Sequence, residues 1–149
     1  MGTNTDLYAY DFYAWSQTTA TLIRQGKWSE IDPEAVAEEL ESLGKRDKRE
    51  LESRLEVLLR HLLKWRYQPQ RWARGQSWRS TILEQRRRLT RLLQESPSLR
   101  SSLDQTIQDE YPHARQRAIA ETRLPAVTFP IVCPWNTAQL TDADFWPEE

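Results

Sequence analysis

The sequence predicts an all-α fold, and three observations support that prediction. Apolar residues recur in steps of three and four over much of the chain, which is the spacing of a buried helix face. Glycine, which β-turns often need, occurs only four times in 149 residues. Leu, Glu, Arg and Gln, which favour helices, are abundant. We therefore predict a helical bundle around a long kinked helix and an antiparallel partner helix, with an extended C-terminal wrap.

The N-terminal part of the chain carries two helix-boundary signals. The first helical segment runs from about Thr5 to Gln25 and is followed by Gly26, a residue suited to a helix C-terminus. Asp32 is suited to cap the next helix, and Pro33 fits the first helical position because no backbone N–H donor is needed there. The sequence therefore predicts a second helix that starts at Pro33.

The longest apolar stripe of the chain belongs to this second helix. Its members, mostly three or four residues apart, are Val36, Leu40, Leu43, Leu51, Leu55, Leu58, Leu62 and Trp65. Gly44 and Asp47 interrupt the stripe, so we expect a kink there or two abutting helices, Pro33–Leu43 and Arg46–Tyr67. Pro69 ends the pattern, because a helical conformation is disfavoured just before a proline.

The next segments are predicted to be a loop and the partner helix. Residues 68–76 have the composition of a loop, and Ser77 is suited to cap a helix that runs from Trp78 to about Gln94. The long stripe cannot be buried by one helix alone. We therefore expect this second helix to cover the stripe in antiparallel orientation.

The last third of the chain is predicted to hold a helix, a wrap and a short helix. The helix starts near Ser96, with a kink or restart near Tyr111 because Pro112 lacks a backbone donor. Residues 123–135 contain three prolines and are predicted to be extended, and residues 136–140 to form a short helix.

Length and composition indicate one domain that covers residues 1–149. The longest apolar runs are two or three residues, so no membrane-spanning segment is expected. The N-terminus lacks the features of a secretory signal, and the single cysteine, Cys133, cannot form an internal disulfide. We therefore expect a cytoplasmic protein without a membrane partner.

Charge is segregated along the chain. Residues 1–59 carry seven basic and twelve acidic groups, and residues 92–149 carry four basic and nine acidic groups. Between them, residues 60–91, which we call the basic segment, carry ten basic groups and one acidic group. The whole chain is nearly neutral, with a net charge of −1, so any attraction of polyanions would be local to the basic segment.

Tryptophan and tyrosine are interleaved with the arginines of the basic segment. Arginine binds phosphate bidentately and exposed aromatic rings stack on unpaired bases, so this segment is a candidate surface for RNA or single-stranded nucleic acid, or for a protein partner. The candidate residues are Arg66, Arg71, Trp72, Arg74, Arg79, Arg86, Arg87 and Arg88. Alternatively, the acidic segments neutralise these cations inside the fold or across a dimer. Trp65 and Trp78 fall on predicted inner faces, and Trp72 falls in the predicted loop.

The sequence contains no complete set of metal ligands. Glu38 and Glu41 share one side of a predicted helix, and Glu110 and His113 match one Glu-x-x-His motif, but a second copy of that motif is absent. A solvated acidic face explains these carboxylates better. We predict no metal-binding residue and no cofactor.

Catalytic motifs are also absent. His61 neighbours the leucine stripe, where a hydrogen-bonded packing role is favoured over that of a general base. No nucleophile motif surrounds Cys133, and its proline-rich flanks indicate a buried residue that anchors the wrap. We predict no catalytic residue, and a non-enzymatic role is favoured.

Six motifs resemble a known family. They are LYAYDFYAW (7–15), ELESLGK (39–45), RELESRLEVLLRHLLKWRYQP (49–69), SWRSTILEQR (77–86), LLQESPSL (92–99) and FPIVCPW (129–135). In order and spacing they resemble domain of unknown function family 29, whose members are small helical bacterial proteins, abundant in cyanobacteria. The resemblance extends from Asp6 to Pro147. It implies a helical fold and an accessory or interaction role, and it supplies no activity, cofactor or catalytic residue.

Three functional hypotheses follow, in order of preference. The first is a non-enzymatic protein-interaction module that self-associates, because the stripe Leu51–Trp65 is regular and the charged segments are complementary. The second is nucleic-acid binding through the basic segment. The third is an enzyme with a helical metal or cofactor site, which would require a concave site with at least three convergent ionisable groups.

Overall fold

The computed structural model describes residues 4–68 and 71–148, with side chains for residues 7–68 and 76–148. These residues form six α-helices and three short 3-10 turns, and contain no strand. The helices are α1 (Asn4–Tyr10), α2 (Phe12–Arg24), α3 (Pro33–Tyr67), α4 (Arg71–Glu95), α5 (Leu103–Thr122) and α6 (Thr137–Thr141). The 3-10 turns are Trp28–Glu30, Pro97–Ser102 and Ala126–Thr128. The predicted all-α class is confirmed.

The contacts of the chain fall into two compact units. The N-terminal unit is Met1–Arg46 and the C-terminal unit is Asp47–Glu149, and each is described by itself. The organisation of residues 1–149 as a single domain stays a prediction. None of the described helices is long and apolar enough to cross a membrane.

The first helical segment consists of two helices rather than one. The carboxylate of Asp11 accepts a hydrogen bond from the backbone N–H of Ala14 at 3.0 Å, which caps α2 and separates it from α1. Gly26 has a φ of +70°, and its N–H and that of Lys27 donate to carbonyls of the last turn of α2 at 3.0 and 2.9 Å. This bonding pattern is that of a Schellman motif, so the predicted helix end at Gly26 is confirmed.

Helix α3 starts where the sequence predicts. The carboxylate of Asp32 accepts hydrogen bonds from the N–H groups of Glu34 and Ala35 at 3.1 and 3.4 Å, and Pro33 is the first helical residue. The expectation of two abutting helices at Gly44 is wrong, because one helix runs through this position; a kink there stays a prediction. A single glycine in a helix costs only about 1 kcal/mol, which a 35-residue helix with strong helix formers on both sides tolerates.

The apolar stripe of α3 divides into a buried and an exposed part. Leu51, Leu55, Leu58, Leu59, Leu62 and Leu63 are all 0% exposed. Leu40 and Leu43 remain 64% and 53% exposed, so their prediction as inward-facing residues is wrong. Helical spacing shows which side chains share a face, but whether that face is covered depends on partners that are distant in sequence.

Helix α4 begins earlier than the sequence predicts. It starts at Arg71, so the loop predicted for residues 68–76 is wrong from residue 71 onward, and Ser77 lies inside the helix instead of capping it. Arg71, Ala73 and Gln76 are good helix formers, and the lone Gly75 does not stop the helix.

Helices α3 and α4 are antiparallel, as predicted. Lys64 Nζ lies 5.8 Å from the ring centre of Trp78, whereas the side chain of Asp47, at the other end of the shared interface, accepts a hydrogen bond from Ser96 at 3.0 Å. Along this interface, the residue numbers on the α4 side rise as those of α3 fall, which is the order expected for antiparallel helices. The stripe is therefore buried within the C-terminal unit, where Ile82, Leu89 and Leu93 of α4 join its core; the exposed fraction of each is at most 2%.

Helix α5 follows a 3-10 turn and passes through its proline. The predicted restart near Tyr111 is wrong, because α5 continues from Leu103 to Thr122 with Pro112 inside it, whereas the alternative of a kink there stays a prediction. A proline interrupts the hydrogen bond to the carbonyl four residues earlier, here that of Gln108. Both residues are exposed, so water can satisfy this carbonyl.

The predicted wrap runs antiparallel to α5. Arg115 donates to the carbonyl of Ala126 at 2.8 Å, and the Tyr111 hydroxyl donates to the carbonyl of Pro130 at 2.5 Å. Residues 123–135 are irregular apart from one 3-10 turn, and Phe129 is buried among the core residues. The short helix predicted near residues 136–140 is confirmed as α6.

The burial of the α3 stripe gives a direct test of this fold. We expect Leu62→Ala to reduce the free energy of unfolding by about 2–5 kcal/mol, because it opens a cavity in the core. Leu83→Ala on α4 is the control, since Leu83 is 39% exposed, and should cost less than about 1 kcal/mol. Urea unfolding followed by circular dichroism measures both, and equal losses would contradict the fold.

Candidate functional site

The basic segment occupies the C-terminal end of α3 and most of α4. Three of its candidate residues, Arg71, Trp72 and Arg74, have side chains outside the described ones. Their backbone belongs to the first turns of α4, not to a loop.

Arg86 is buried, with an exposed fraction of 2%. Its guanidinium donates hydrogen bonds to three backbone carbonyls, those of Leu140 at 3.0 Å, Gln139 at 3.1 Å and Phe145 at 2.6 Å. Burial lowers the pKa of this guanidinium. As a candidate residue, Arg86 is expected to lie on an exposed basic face, and this expectation is wrong. It holds the C-terminal segment against α4 instead.

Two more candidate arginines lie against aromatic rings. The guanidinium of Arg79 is 4.7 Å from the ring centre of Trp146, and the Trp146 ring also packs on Trp65 at 4.8 Å. Arg66 lies 4.9 Å from the ring of Tyr67. These distances are those of cation–π and tilted aromatic contacts. The C-terminal Trp146 therefore packs against both Arg79 and Trp65.

The remaining candidates, Arg87 and Arg88, are exposed but paired. Both contact the carboxylate of Glu84, at 2.8 and 2.6 Å. Hydrogen bonds from Arg87 and then Arg88 lower the pKa of Glu84 to about 2. The described candidates thus do not form one continuous unpaired basic face, because Arg86 is buried and the others have internal partners.

A pocket that the sequence does not predict lies between α3, α4 and α5. We call it the three-helix pocket; its volume is about 410 Å³, and it is lined by Arg60, His61, Lys64, Gln68, Trp78 and Glu121. One oxygen of the Glu121 carboxylate accepts from Arg60 Nη1 at 2.5 Å, and the other accepts from Lys64 Nζ at 2.6 Å. The side chains of Arg60 and Lys64 are only 12% and 13% exposed. Sequence reasoning missed this pocket because Glu121 lies 61 and 57 residues from its two partners.

A second carboxylate extends the charge network of the pocket. Glu56 is buried, and its oxygens lie 3.5 Å from Arg60 Nε and 3.4 Å from Arg117 Nη1. Burial alone would raise the pKa of Glu121, but hydrogen bonds from Lys64 and Arg60 more than offset it, so that its pKa is lowered. The Glu121 carboxylate is therefore held in its ionised form by its two cationic partners.

His61 is neutral at the edge of this network. Its Nδ1 lies 2.8 Å from the carbonyl of Val57, and since a carbonyl only accepts, Nδ1 carries the proton and Nε2 has a free lone pair. Burial and then the charges of Lys64 and Arg60 lower the pKa of His61. This geometry is that of the hydrogen-bonded packing histidine that the sequence suggests.

The acidic clusters of the sequence do not converge into a metal site. Among the described residues, no group of three His, Cys, Asp or Glu side chains could hold a metal ion. In the N-terminal unit, the hydroxyl of Tyr8 donates to Glu39 at 2.6 Å and to Glu38 at 3.2 Å, which raises the pKa of this tyrosine. Burial raises the pKa of Glu110.

A larger cavity, of about 630 Å³, lies between α5 and the wrap. The polar groups of two lining residues have partners: the Tyr111 hydroxyl donates to the carbonyl of Pro130, and the Cys133 thiol lies 3.3 Å from the carbonyl of Trp135. Burial raises the pKa of the thiol, so Cys133 is a poor nucleophile. The Tyr111 hydroxyl therefore holds the wrap on α5, whereas the Cys133 contact lies within the wrap itself. Cys133 is only half-buried, and its role as an anchor of the wrap stays a prediction.

The N-terminal unit exposes most of the large apolar side chains that lie on the surface. Of the eleven exposed large apolar side chains among the described residues, seven belong to this unit: Tyr10, Phe12, Tyr13, Ile23, Trp28, Leu40 and Leu43. The buried apolar residues described in this unit are only Trp15 and Ala35. We call these seven side chains together the N-terminal apolar surface, and they are a second candidate site.

The role of Arg86 can be tested by a conservative exchange. We expect Arg86→Lys to reduce the free energy of unfolding by about 2–4 kcal/mol, because an ammonium group cannot reach three carbonyls. Amides of residues 139–146 should exchange with deuterium faster in this variant. Arg88→Lys is the control, since Arg88 is exposed, and its effect should stay below about 1 kcal/mol. Unchanged exchange in Arg86→Lys would contradict the anchoring role.

His61 predicts a dependence of stability on pH. Its pKa is lowered in the folded state, so between that pKa and about 6.5 the unfolded chain binds more protons. Stability that is present above about pH 6.5 should therefore be lost as the pH falls. Urea midpoints between about pH 7.5 and 5.5 test this in a His113→Asn background, where His61 is the only histidine. The slope of the urea midpoint against pH should become flatter when His61→Gln is added. An unchanged slope would refute the prediction.

Comparison with known proteins gives a family but no functional relative. No curated protein matches the chain. No solved structure matches it either. A family model matches residues 7–146, which includes both units and the basic segment. The chain belongs to the family described as Domain of unknown function DUF29.

Proposed function

We propose that this chain is a non-enzymatic protein-interaction module that self-associates through its N-terminal apolar surface. The observation that carries the proposal is the exposure of that surface: Tyr10, Tyr13 and Trp28 are 73%, 74% and 67% exposed. Aromatic side chains are enriched in interfaces, and large exposed apolar patches mark interaction sites in soluble domains. Leu40 and Leu43, one helical turn apart on α3, add an aliphatic component.

Charge supports a second copy of the chain as the partner. Met1–Arg46 carries four basic and eight acidic residues, a net of −4, and Asp47–Glu149 carries seventeen basic and fourteen acidic residues, a net of +3. The N-terminal unit of one copy is therefore attracted to the C-terminal unit of another. In a two-fold dimer this contact forms twice, so each attractive pair is doubled.

The leucine stripe no longer supports self-association. Leu51, Leu55 and Leu58 are fully buried within the C-terminal unit, so they are not available to a second copy. The proposal therefore rests on the N-terminal apolar surface and on charge. The lone cysteine, which has no partner for a disulfide within the chain, supports a reducing compartment such as the cytoplasm.

Nucleic-acid binding is the second candidate function. Its support is the net charge of +9 over residues 60–91 and the exposure of Arg87, Arg88 and Arg91. It is weakened by the burial of Arg86 and by ion pairs at the exposed arginines. A titration with single-stranded RNA at increasing salt tests it, because phosphate contacts weaken steeply with salt. Absence of binding at low salt would exclude it.

Self-association is tested by sedimentation equilibrium. We expect the wild-type chain to form dimers, and Leu43→Glu to raise the dissociation constant by about tenfold or more, because it places a charge in the interface. Val127→Glu is the matched control: Val127 is 89% exposed and lies outside the N-terminal apolar surface, so the same new charge only lowers the positive charge of the C-terminal unit by one and should weaken dimerisation less than Leu43→Glu.

Two outcomes would contradict the proposal. One is a wild-type chain that is monomeric at every concentration measured. The other is equal weakening by the two glutamate variants, which would indicate an effect of net charge and not of the N-terminal apolar surface.

A further inference from the structure

We propose that the three-helix pocket binds a small oxyanion, the carboxylate or phosphate group of a small molecule. The pocket has a volume of about 410 Å³, which lies in the range of small-molecule sites and exceeds what one oxyanion group fills. Three helices contribute to it, so its groups are held by the core of the C-terminal unit and not by a loop. This site is separate from the N-terminal apolar surface.

The charge of the lining favours an anion. Arg60 and Lys64 are the basic residues among the six that line the pocket, and Glu121 is the only acidic one, so the lining has a formal net charge of +1. Glu56 lies behind Arg60 and is shared with Arg117, so this second carboxylate is balanced by its own additional cation. The excess positive charge therefore remains.

Burial makes this excess charge effective. The side chains of Arg60 and Lys64 are 12% and 13% exposed, whereas Arg87 and Arg91 on the surface of α4 are 61% and 71% exposed. Charges that are removed from water are screened less by solvent and salt, so the same two cations attract an anion more strongly in the pocket.

The internal carboxylates leave hydrogen-bonding capacity for a ligand. Arg60 Nε is buried and lies 3.5 Å from Glu56 Oε1, so this nitrogen is not available to a ligand in the pocket. Arg60 Nη1 and Lys64 Nζ each donate to one oxygen of Glu121, and each of these cations carries further N–H donors. A bound oxyanion can accept hydrogen bonds from these N–H groups, and the side-chain amide of Gln68 at the pocket wall offers a further donor.

Glu121 acts as an internal competitor for the ligand. Its carboxylate spans the two cations in the way in which a bound carboxylate or phosphate would, at 2.5 and 2.6 Å. The Glu121 side chain is 36% exposed, so it is more exposed than the Arg60 and Lys64 side chains that it bridges. An incoming anion therefore competes with Glu121 for the cations, and removal of the Glu121 charge should strengthen anion binding.

His61 provides a reporter for the bound charge. The groups that face it are Arg60 and Lys64 on α3, Glu121 on α5 and the uncharged Trp78 on α4. An anion that binds beside the two cations adds negative charge next to the imidazole and stabilises its protonated form. Anion binding should therefore raise the pKa of His61, and by linkage bind more tightly as the pH falls.

The experiment is an NMR titration of the full chain with sodium phosphate and, separately, sodium acetate, each against sodium chloride at equal ionic strength. The His61 imidazole and the Trp78 indole N–H are the signals followed. Both signals are expected to shift with phosphate or acetate and not with chloride. The titration in which they shift identifies which oxyanion the pocket prefers. Acetate, which does not titrate between about pH 6 and 8, is used for the pKa of His61.

Two variants and a matched control complete the test. Glu121→Gln should tighten anion binding by about tenfold or more, because it frees both cations, and Lys64→Met should weaken it by a similar factor. Glu84→Gln is the control, since Glu84 is also shared by two arginines but on the exposed surface of α4, and it should change nothing at the pocket.

Several results would overturn the proposal. If Glu121→Gln binds the anion no more tightly than the wild type does, the ion pairs of Glu121 with Arg60 and Lys64 are purely structural. Equal binding by Lys64→Met would place the anion elsewhere. If either variant fails to fold, the wild-type titration still decides, because His61 and Trp78 signals that shift with neither phosphate nor acetate contradict an anion in the pocket.

Discussion

The leucine side chains of α3 from Leu51 to Leu63 set the architecture of the C-terminal unit, because they cannot remain in water without a large loss of stability. Each contributes about 1.5–3 kcal/mol when it is buried, and six of them are wholly buried. One neighbouring helix covers only part of such a face. Helices α4 and α5 both pack against it, and the ion pairs of Arg60 and Lys64 with Glu121 follow from where α5 lies.

The same packing determines which charges of the basic segment remain at the surface. Arg86 lies on the face of α4 that the C-terminal segment covers, and its five donors suit the three carbonyls that the segment presents. Trp146 then lies on Trp65 and Arg79. A segment that looks like a nucleic-acid surface in the sequence is therefore used in large part to hold the chain together.

Local rules predict the elements, and long-range partners decide the sites. The caps at Asp32 and Gly26 depend on neighbouring residues, so the sequence predicts both correctly. The exposure of Leu40, the burial of Arg86 and the pairing of Lys64 with Glu121 depend on residues far away in the chain. Periodicity and charge counts contain no information about those partners, which is why the candidate site had to be revised more than the fold.

The central claim is that the stripe from Leu51 to Leu63 is used inside the chain, whereas the N-terminal apolar surface serves a second copy. Hydrogen–deuterium exchange at low and high protein concentration tests it most directly. We predict that amides of residues 51–63 are equally protected from exchange at both protein concentrations. Amides around Tyr13 and Leu43 should be more protected at the high concentration than at the low one. Protection of residues 51–63 that appears only at high concentration would contradict the account.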